Sequence, residues 1–538
     1  VTVQFGSKSA NSNQNQSTST ARTTSLNAGK DLTILATDGS INSQGTQMSA
    51  EGNAMIVAKD GIKFDVAHNT ETGSQDAKSS GFSFDNRSAM MAGTFNNKSK
   101  GNGATDTVTG TKLSVGGATT IATQTGDIAL IGANVVSDGT LAISAARDLT
   151  ITSAQDLAQN TNQSDNKAIG KVVISDTERF VGYHNEKHKD NSSEVTQVAS
   201  NVASLKGDVV LTAGEKYTQM SSNVLAGNDV SITAKSIDIT ALQDAGSRQE
   251  SNSDLKVGAF ARISSPLIDL VNNVDAARKS DGRLQAMQGM AAAAQGYGAG
   301  KAIASNGILV KGEVGVVFAS SSNSSNMNGA TAVTSTVNGG NNVTLTSTAG
   351  DIHATGATLG AGKTLSLDSA RDIVLDASQS TAHGDGKNNS AGVEVGVGFQ
   401  AGAQGTGVYA YASANVGNGH HRSDSTTNNN TQLKADTLNI TSKGDTTLRG
   451  ATATANTINA AVGGKLAIES LQDVSQQESS QTNAGARVQV SFGTAWSASG
   501  NVSQSNTNGS SATVGQQSGL FAGDGGYHVK ADTVDLKG

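Results

Sequence analysis

Short alternations of apolar and polar residues recur along the whole chain. Leu32-Thr33-Ile34, Val209-Val210-Leu211, Val230-Ser231-Ile232 and Leu438-Asn439-Ile440 each read as a brief β-strand, bounded by Gly-Asp, Gly-Lys or Asn-Asp turns. In the stretch Ile128-Ala129-Leu130, Leu141-Ala142-Ile143 and Leu149-Thr150-Ile151, successive strands start 13 and 8 residues apart, too close for a helical crossover between parallel neighbours. A solenoid meets that requirement by running each turn around successive sheets. The pattern therefore predicts an all-β fold, a right-handed parallel β-helix with aliphatic residues inward and Gly, Asn and Asp at the corners.

The alternation is itself repeated. LAISAARDLTITSAQD at 141–156 matches LSLDSARDIVLDASQS at 365–380, and related endings occur at 236–244 and 466–473. Aligned on a shared glutamine, the series is Gln155, Gln243, Gln379 and Gln472, in steps of 88, 136 and 93 residues, with His68 lying 87 residues upstream. Such a period means stacked units. The expected division is a repeat tail at 1–20, repeats at 21–107, 108–200, 201–330, 331–430 and 431–518, and the start of another at 519–538.

Within each repeat the ladder gives way to polar tracts such as 159–167 and 378–390, and to a V-x-V-x-F pattern. That pattern occurs at Val1 to Phe5, Val314 to Phe318, Val393 to Phe399 and Val488 to Phe492, and reads as β-hairpins thrown out from the solenoid. The third repeat is longer because 266–304 holds a helical pattern, Leu267, Ile268, Leu270, Val271 and Val274 followed by Leu284, Met287 and Met290, behind Pro266. It predicts one α-helical insert.

Composition agrees with a thin core. Aromatic residues make up 3% and charged residues 15% of the 538, with 63 Gly and one Pro. A globular core of this size would use more rings, and Pro is excluded where every N–H enters a ladder. With no cysteine, thiolate metal sites and disulfides are excluded. The net charge of −7 comes without a basic run, so no nucleic-acid partner is expected. No apolar stretch is long enough for a membrane-spanning helix, no signal peptide opens the chain, and the sequence reads as an internal piece of something longer.

The remaining motifs carry no chemistry. His184 and His188 are four apart, but the glutamate of a zinc-hydrolase motif is displaced; His383, His420 and His421 are read as solvated loop residues. Gln295 to Ala302 lacks the first glycine and the hydroxyl of a phosphate loop. Asp148, Asp229 and Asp372 repeat at turns, where an aspartate caps its own backbone. Lys206-Gly207-Asp208 and Lys443-Gly444-Asp445 occupy the same repeating turns. No catalytic residue, cofactor or metal is expected, and the rival reading of a β-helical polysaccharide lyase lacks a non-repeating cluster of acids and bases.

The hairpins are the candidate site. Ala391 to Phe399 and Gly407 to Val416 give strands of about 9 or 10 residues, the length that crosses a bilayer as β. Val393, Val395, Val397, Phe399, Tyr409 and Tyr411 are assigned to one apolar face, repeated around Val488, Val490, Phe492 and Trp496. Such a face either packs on the solenoid flank, the preferred reading, or pairs with other hairpins on contact with a target cell and enters its outer membrane.

Leu26 to Ile34 (LNAGKDLTI), Gly227 to Ala234 (GNDVSITA) and Ala277 to Leu284 (ARKSDGRL) resemble the filamentous-haemagglutinin-type exoproteins of two-partner secretion, which include the effectors of contact-dependent growth inhibition. The last motif resembles the insert of their second type of haemagglutinin repeat. The resemblance implies a secreted rod on the surface of a Gram-negative bacterium, with a periplasmic stage before contact. It implies export by an outer-membrane transporter that engages an N-terminal domain not found in this sequence. It also implies delivery of a C-terminal toxin into a neighbour, whose outer membrane or proteins would be the partners; the alternative is the passive stalk of an adhesin serving attachment and biofilm formation. Neither a Val-Glu-Asn-Asn motif nor a toxin lies in these 538 residues.

Overall fold

A computed structural model describes residues 4–85, 91–173, 178–264, 308–402, 405–491 and 495–538. The expected helical insert at 266–304 and the phosphate-loop-like stretch at 295–302 lie outside the described residues.

The short alternating strands form three parallel ladders. In the first, Ser25–Ala28 is followed by Gln47–Ala50, Lys112–Val115 and Asn134–Ser137. In the second, Leu32–Ala36 is followed by Ala54–Ala58, Thr119–Thr123 and Leu141–Ala145. The third runs from Ile41–Gln44 through Ile62 to Ile128–Ile131 and Leu149–Thr152. One strand from each ladder makes a coil, and eleven coils stack along the chain. Partners in adjacent coils lie 20 to 22 residues apart where no hairpin intervenes, as in Thr119–Leu141 and Thr437–Thr457.

Strand residues alternate between the interior and solvent, so every second side chain stacks on its equivalent in the next coil. Ile56, Ile121, Ile143, Leu211, Ile232 and Leu345 form one such buried column, and Leu113, Val135, Val202, Val224, Val337 and Leu359 another. This is a core one side chain wide, and Phe64 and Tyr217 are its aromatic members among the described residues. Tyr217 donates to Gln219 Oε1 (2.9 Å), and Gln219 donates to the carbonyls of Ser222 and Thr336 (2.7 and 3.0 Å), so these two buried polar side chains are bonded.

At the corners, aspartates and asparagines bind the next coil, not their own backbone as the turn reading had it. Asp127 Oδ1 accepts from the Asp148 N–H, and Asp148 Oδ1 from the Lys216 N–H (3.1 and 3.0 Å). Asp351, Asp372, Asp445 and Lys465 continue the same relay. Stacking puts the N–H of the neighbouring coil closer to each carboxylate than its own turn, which is why the residue repeats. His353 joins three coils, facing Asp238 Oδ1 at 3.6 Å and Asp376 Oδ2 at 3.7 Å.

After every second coil the chain leaves the solenoid as a hairpin. The five pairs of strands are Ile62–Asp85 with Met91–Gly110, Ala154–Val173 with Glu178–Val198, Leu242–Ser264 with Ile308–Val333, Ser378–Gly402 with Gly405–Asn429, and Asp473–Ser491 with Ala495–Thr513. At the intervening corners the chain turns tightly back into the first ladder. Gly45, Gly132, Gly356 and Gly450 do so with φ between 55° and 68°, and Ser221 does so at 41°. That region favours glycine; Ser221 is held there by its hydroxyl, which donates to the Val333 carbonyl and accepts from the Leu242 N–H (2.7 and 2.6 Å).

The Asp238 and Asp376 carboxylates push the His353 imidazole up from 6.5 to about 9. A raised folded-state value means that its contribution is complete below pH 6.5 and is lost as pH rises through about 9. Thermal melts between pH 6 and 10 are expected to show a decline in the wild-type chain that His353→Gln flattens; superimposable profiles would contradict the bridge.

A candidate interaction surface on the hairpin sheet

The hairpins do not stand apart. Each pairs edge to edge with the next, Leu157 opposite Asp106, Val195 opposite Ala245, Ala330 opposite Thr381 and Thr426 opposite Val474. With Gln4–Ser19 on its first edge, the result is one antiparallel sheet of eleven strands. The hairpin strands are 19 to 26 residues long, longer than the 9 or 10 expected. The polar tracts belong to the strands: rows of Ser, Asn, Thr and Gly pair through their backbones while both faces stay hydrated, so no alternation marks them.

The repeating glutamine marks where a hairpin departs, and the residue after it closes the junction. Asp156 Oδ1 accepts from the Val108 N–H (2.7 Å), Asp244 Oδ1 from the Gln197 N–H (2.6 Å) and Asp473 Oδ1 from the Asn428 N–H (2.7 Å). Ser380 Oγ and Asn69 Oδ1 do the same for Ala332 and Ala21 (both 3.0 Å). Each caps the strand of the preceding hairpin where its edge would otherwise open.

Toward the hairpin tips the two faces of the sheet differ. One carries Ile169, Val257, Val314, Val316, Phe318, Val393, Val395, Val397, Phe399, Val488 and Val490 in adjoining rows, since residues directly opposite in the ladders share a face. These side chains are open to solvent: Val395 is 51% exposed and Trp496, opposite Val490, 74%. The preferred expectation that this face packs on the solenoid is therefore not met. Phe492 lies outside the described residues.

Tyr409 and Tyr411, expected on the valine face, lie on the opposite one. Val397 is opposite Ala410, which sets Gly398 opposite Tyr409 and Gly396 opposite Tyr411. The register of the turn decides parity, and a shift by one residue exchanges the faces. Both rings are buried, with Phe180 and Phe260. They lie flat over glycines: a Cβ on Gly398 would fall 2.3 Å from the Tyr409 ring, and one on Gly182 would fall 2.8 Å from Phe180.

Beside these rings sits an ion network that the sequence reading did not find. Arg262 donates to Glu313 Oε2 (2.9 and 2.6 Å) and to both oxygens of Glu394 (2.9 and 2.8 Å). Lys311 lies 2.8 Å from Glu313, the Tyr409 hydroxyl donates to it at 2.9 Å, and Arg487 donates to it as well. The Arg487 guanidinium stacks 3.9 Å from the centre of the Tyr411 ring. Burial opposes ionisation of Glu313, yet Lys311, Arg262 and Arg487 hold its carboxyl down at about 2. The network ties together the third, fourth and fifth hairpins directly behind the apolar face. Its only trace in the sequence is a charge inside each of the most apolar strands.

The histidines lie in paired strands, not loops. His184 Nε2 meets Asp254 Oδ1 at 2.7 Å and His188 Nδ1 meets Asn252 Oδ1 at 2.5 Å. Four residues along a strand separates them by about 13 Å, too far to share an ion. His383 bonds Asp424, and His420 lies 3.7 Å from Glu478. No cluster of three or more metal-ligating side chains occurs among the described residues.

A coil ladder that ejects one hairpin for every two turns, with the hairpins joined in a sheet of their own, defines a repeat-built rod. The chain belongs to the hemagglutinin repeat family, whose model matches residues 5–168, 92–255 and 316–484. It is similar to Toxin CdiA of Yersinia pestis (32% identity over 438 residues, 78% of this chain and 13% of that protein). It is also similar to Deoxyribonuclease CdiA of Yersinia pseudotuberculosis (32% identity, 75% of this chain, 39% of that protein) and to 16S rRNA endonuclease CdiA of Enterobacter cloacae (30% identity, 92% and 16%). The chain thus spans well under half the length of these relatives, and is a repeat region of the CdiA kind. No solved structure matches it.

Replacing Glu313 by Gln removes the carboxylate shared by Arg262, Lys311 and Arg487 and leaves only Arg262 with an acidic partner, Glu394, a change of about 3 to 5 kcal/mol when one partner of a buried pair is removed. Amide exchange along Lys311 to Phe318 and Val393 to Phe399 is expected to accelerate about 100-fold or more, with the solenoid columns unchanged. The wild-type sheet is expected to loosen there only as pH falls from 4.5 toward about 2. Unchanged exchange in the variant would contradict a structural role for the network.

Proposed function

We propose that this chain is a structural and interactive segment of a secreted exoprotein of a Gram-negative bacterium, one that helps carry a C-terminal toxin across the outer membrane of a contacted neighbour. The observation that carries this reading is the apolar face of the hairpin sheet, continuous across several repeats and uncovered. A contiguous apolar surface of this extent marks a contact site for protein or membrane. Its alternation, apolar on one face and ionic on the other, is that of a strand standing between lipid and a polar interior.

The solenoid supplies a stiff rod that displays the sheet, and the ion network holds neighbouring strands in register on the polar side. The similarity to CdiA proteins named as toxins and nucleases supports the delivery role; the chemistry in those names is theirs. Export through an outer-membrane transporter and display on the producing cell complete the proposal.

The test is fractionation of a tagged segment, carried in the intact effector, during co-culture with target cells. The wild-type segment is expected in the target outer membrane only after contact. The double variant Val395→Asp, Phe399→Asp is expected to reach it about 10-fold less or worse, while remaining displayed on the producer. Retention of the wild-type segment on the producer would overturn the reading and leave a passive adhesin stalk.

A further inference from the structure

Below the apolar band, on the same face of the first and second hairpins, the strands gather lysines that are scattered in sequence. Ile169 lies opposite Tyr183 in the apolar rows, and two residues along its strand Lys167 shares its face. In the next row Asp165 is flanked by Lys98 and Lys187, with Lys78 beyond Lys98. In the row after that, Gln163 is flanked by Lys100 and Lys189, with Asp76 beyond Lys100. The three rows therefore hold six lysines against two aspartates, in a chain whose overall charge is −7.

The aspartates are already engaged. Asp76 lies 3.8 Å from Lys78 and 3.9 Å from Lys100, and Asp165 lies 3.4 Å from Lys167. Lys98, Lys187 and Lys189 are exposed and have no ion-pair partner among the described residues. At about 3.3 Å per residue, the rows stand about 7 to 20 Å from the apolar edge. Lysine stems reach along apolar surface while the ammonium stays in water, so the charges sit at the depth of lipid headgroups when the apolar band meets the acyl chains.

We propose that this lysine band binds the phosphate headgroups of anionic lipids, so that the sheet selects and orients itself on a negatively charged membrane surface. The proposal rests on the membrane reading above and deepens it by naming the surface chemistry. A nucleic acid would be served by the same charge, but it has no use for the valine and phenylalanine rows that continue the band on the same face. The juxtaposition of lysine and apolar rows is what fits a lipid surface.

The 538-residue chain is floated with vesicles of phosphatidylcholine alone and of phosphatidylcholine mixed with phosphatidylglycerol. The wild-type chain is expected to bind the mixed vesicles more tightly by on the order of 100-fold at low salt, with the preference vanishing as salt shortens the screening length. The triple variant Lys98→Gln, Lys187→Gln, Lys189→Gln is expected to keep its thermal melt and its binding to phosphatidylcholine while losing most of that preference. The salt dependence of the wild-type chain gives the same answer without any variant. Equal wild-type binding to both vesicles at all salt concentrations would overturn the lysine band and leave the membrane reading standing. Binding to neither would overturn both.

Discussion

Everything in this fold depends on a match of spacing. Coils and sheet strands both repeat at about 4.8 Å. Each repeat climbs two coils, about 9.6 Å, and sends out one hairpin, which is two strands and therefore also about 9.6 Å wide. Successive hairpins consequently meet edge to edge with no gap, as Val195–Ala245 and Ala330–Thr381 do. One coil or three per hairpin would leave the strands crowded or separated, with rows of backbone N–H and C=O unpaired. Local chemistry serves this match: tight αL corners at Gly45, Gly132, Ser221, Gly356 and Gly450 close the coils that bear no hairpin, and Asp156, Asp244 and Asp473 seal the junctions where one leaves.

The same match creates the surface. A single hairpin would expose a few valines, which is ordinary for any protein. Held side by side, the hairpins join Val257, Phe318 and Val393, or Val314, Val397 and Val490, into rows that cross repeats. The opposite face cannot also be apolar without collapsing on itself, and it is filled by rings lying on glycines and by the charges around Glu313. One face is filled from within; the other is open to solvent.

The solenoid could be read from the sequence because its interior columns impose a strict alternation on short strands, as in Val230-Ser231-Ile232. The tips were partly legible for the same reason, at Val393, Val395 and Val397. What escaped reading was set by pairing. Polar hairpin strands such as Ser378–Gly402 have hydrated faces and so no hydrophobic period to announce them. The side on which Tyr409 and Tyr411 lie depends on turn register, and the cluster of Arg262, Glu313, Glu394 and Arg487 is assembled from three hairpins up to 225 residues apart. The lysines were invisible as a group because no two of Lys98, Lys167 and Lys187 are adjacent in the chain, although their strands are.

Cross-linking between repeats tests most directly whether the hairpins are already one sheet in solution. The chain has no cysteine, so a pair can be introduced cleanly. Ser193 of the second hairpin lies opposite Ser247 of the third, a separation a disulfide spans. A preformed sheet predicts rapid intramolecular bonding of Ser193→Cys with Ser247→Cys under mild oxidation, and little bonding when the second cysteine replaces Ser251 instead. Failure of the first pair to form, or equal yields from both, would contradict it.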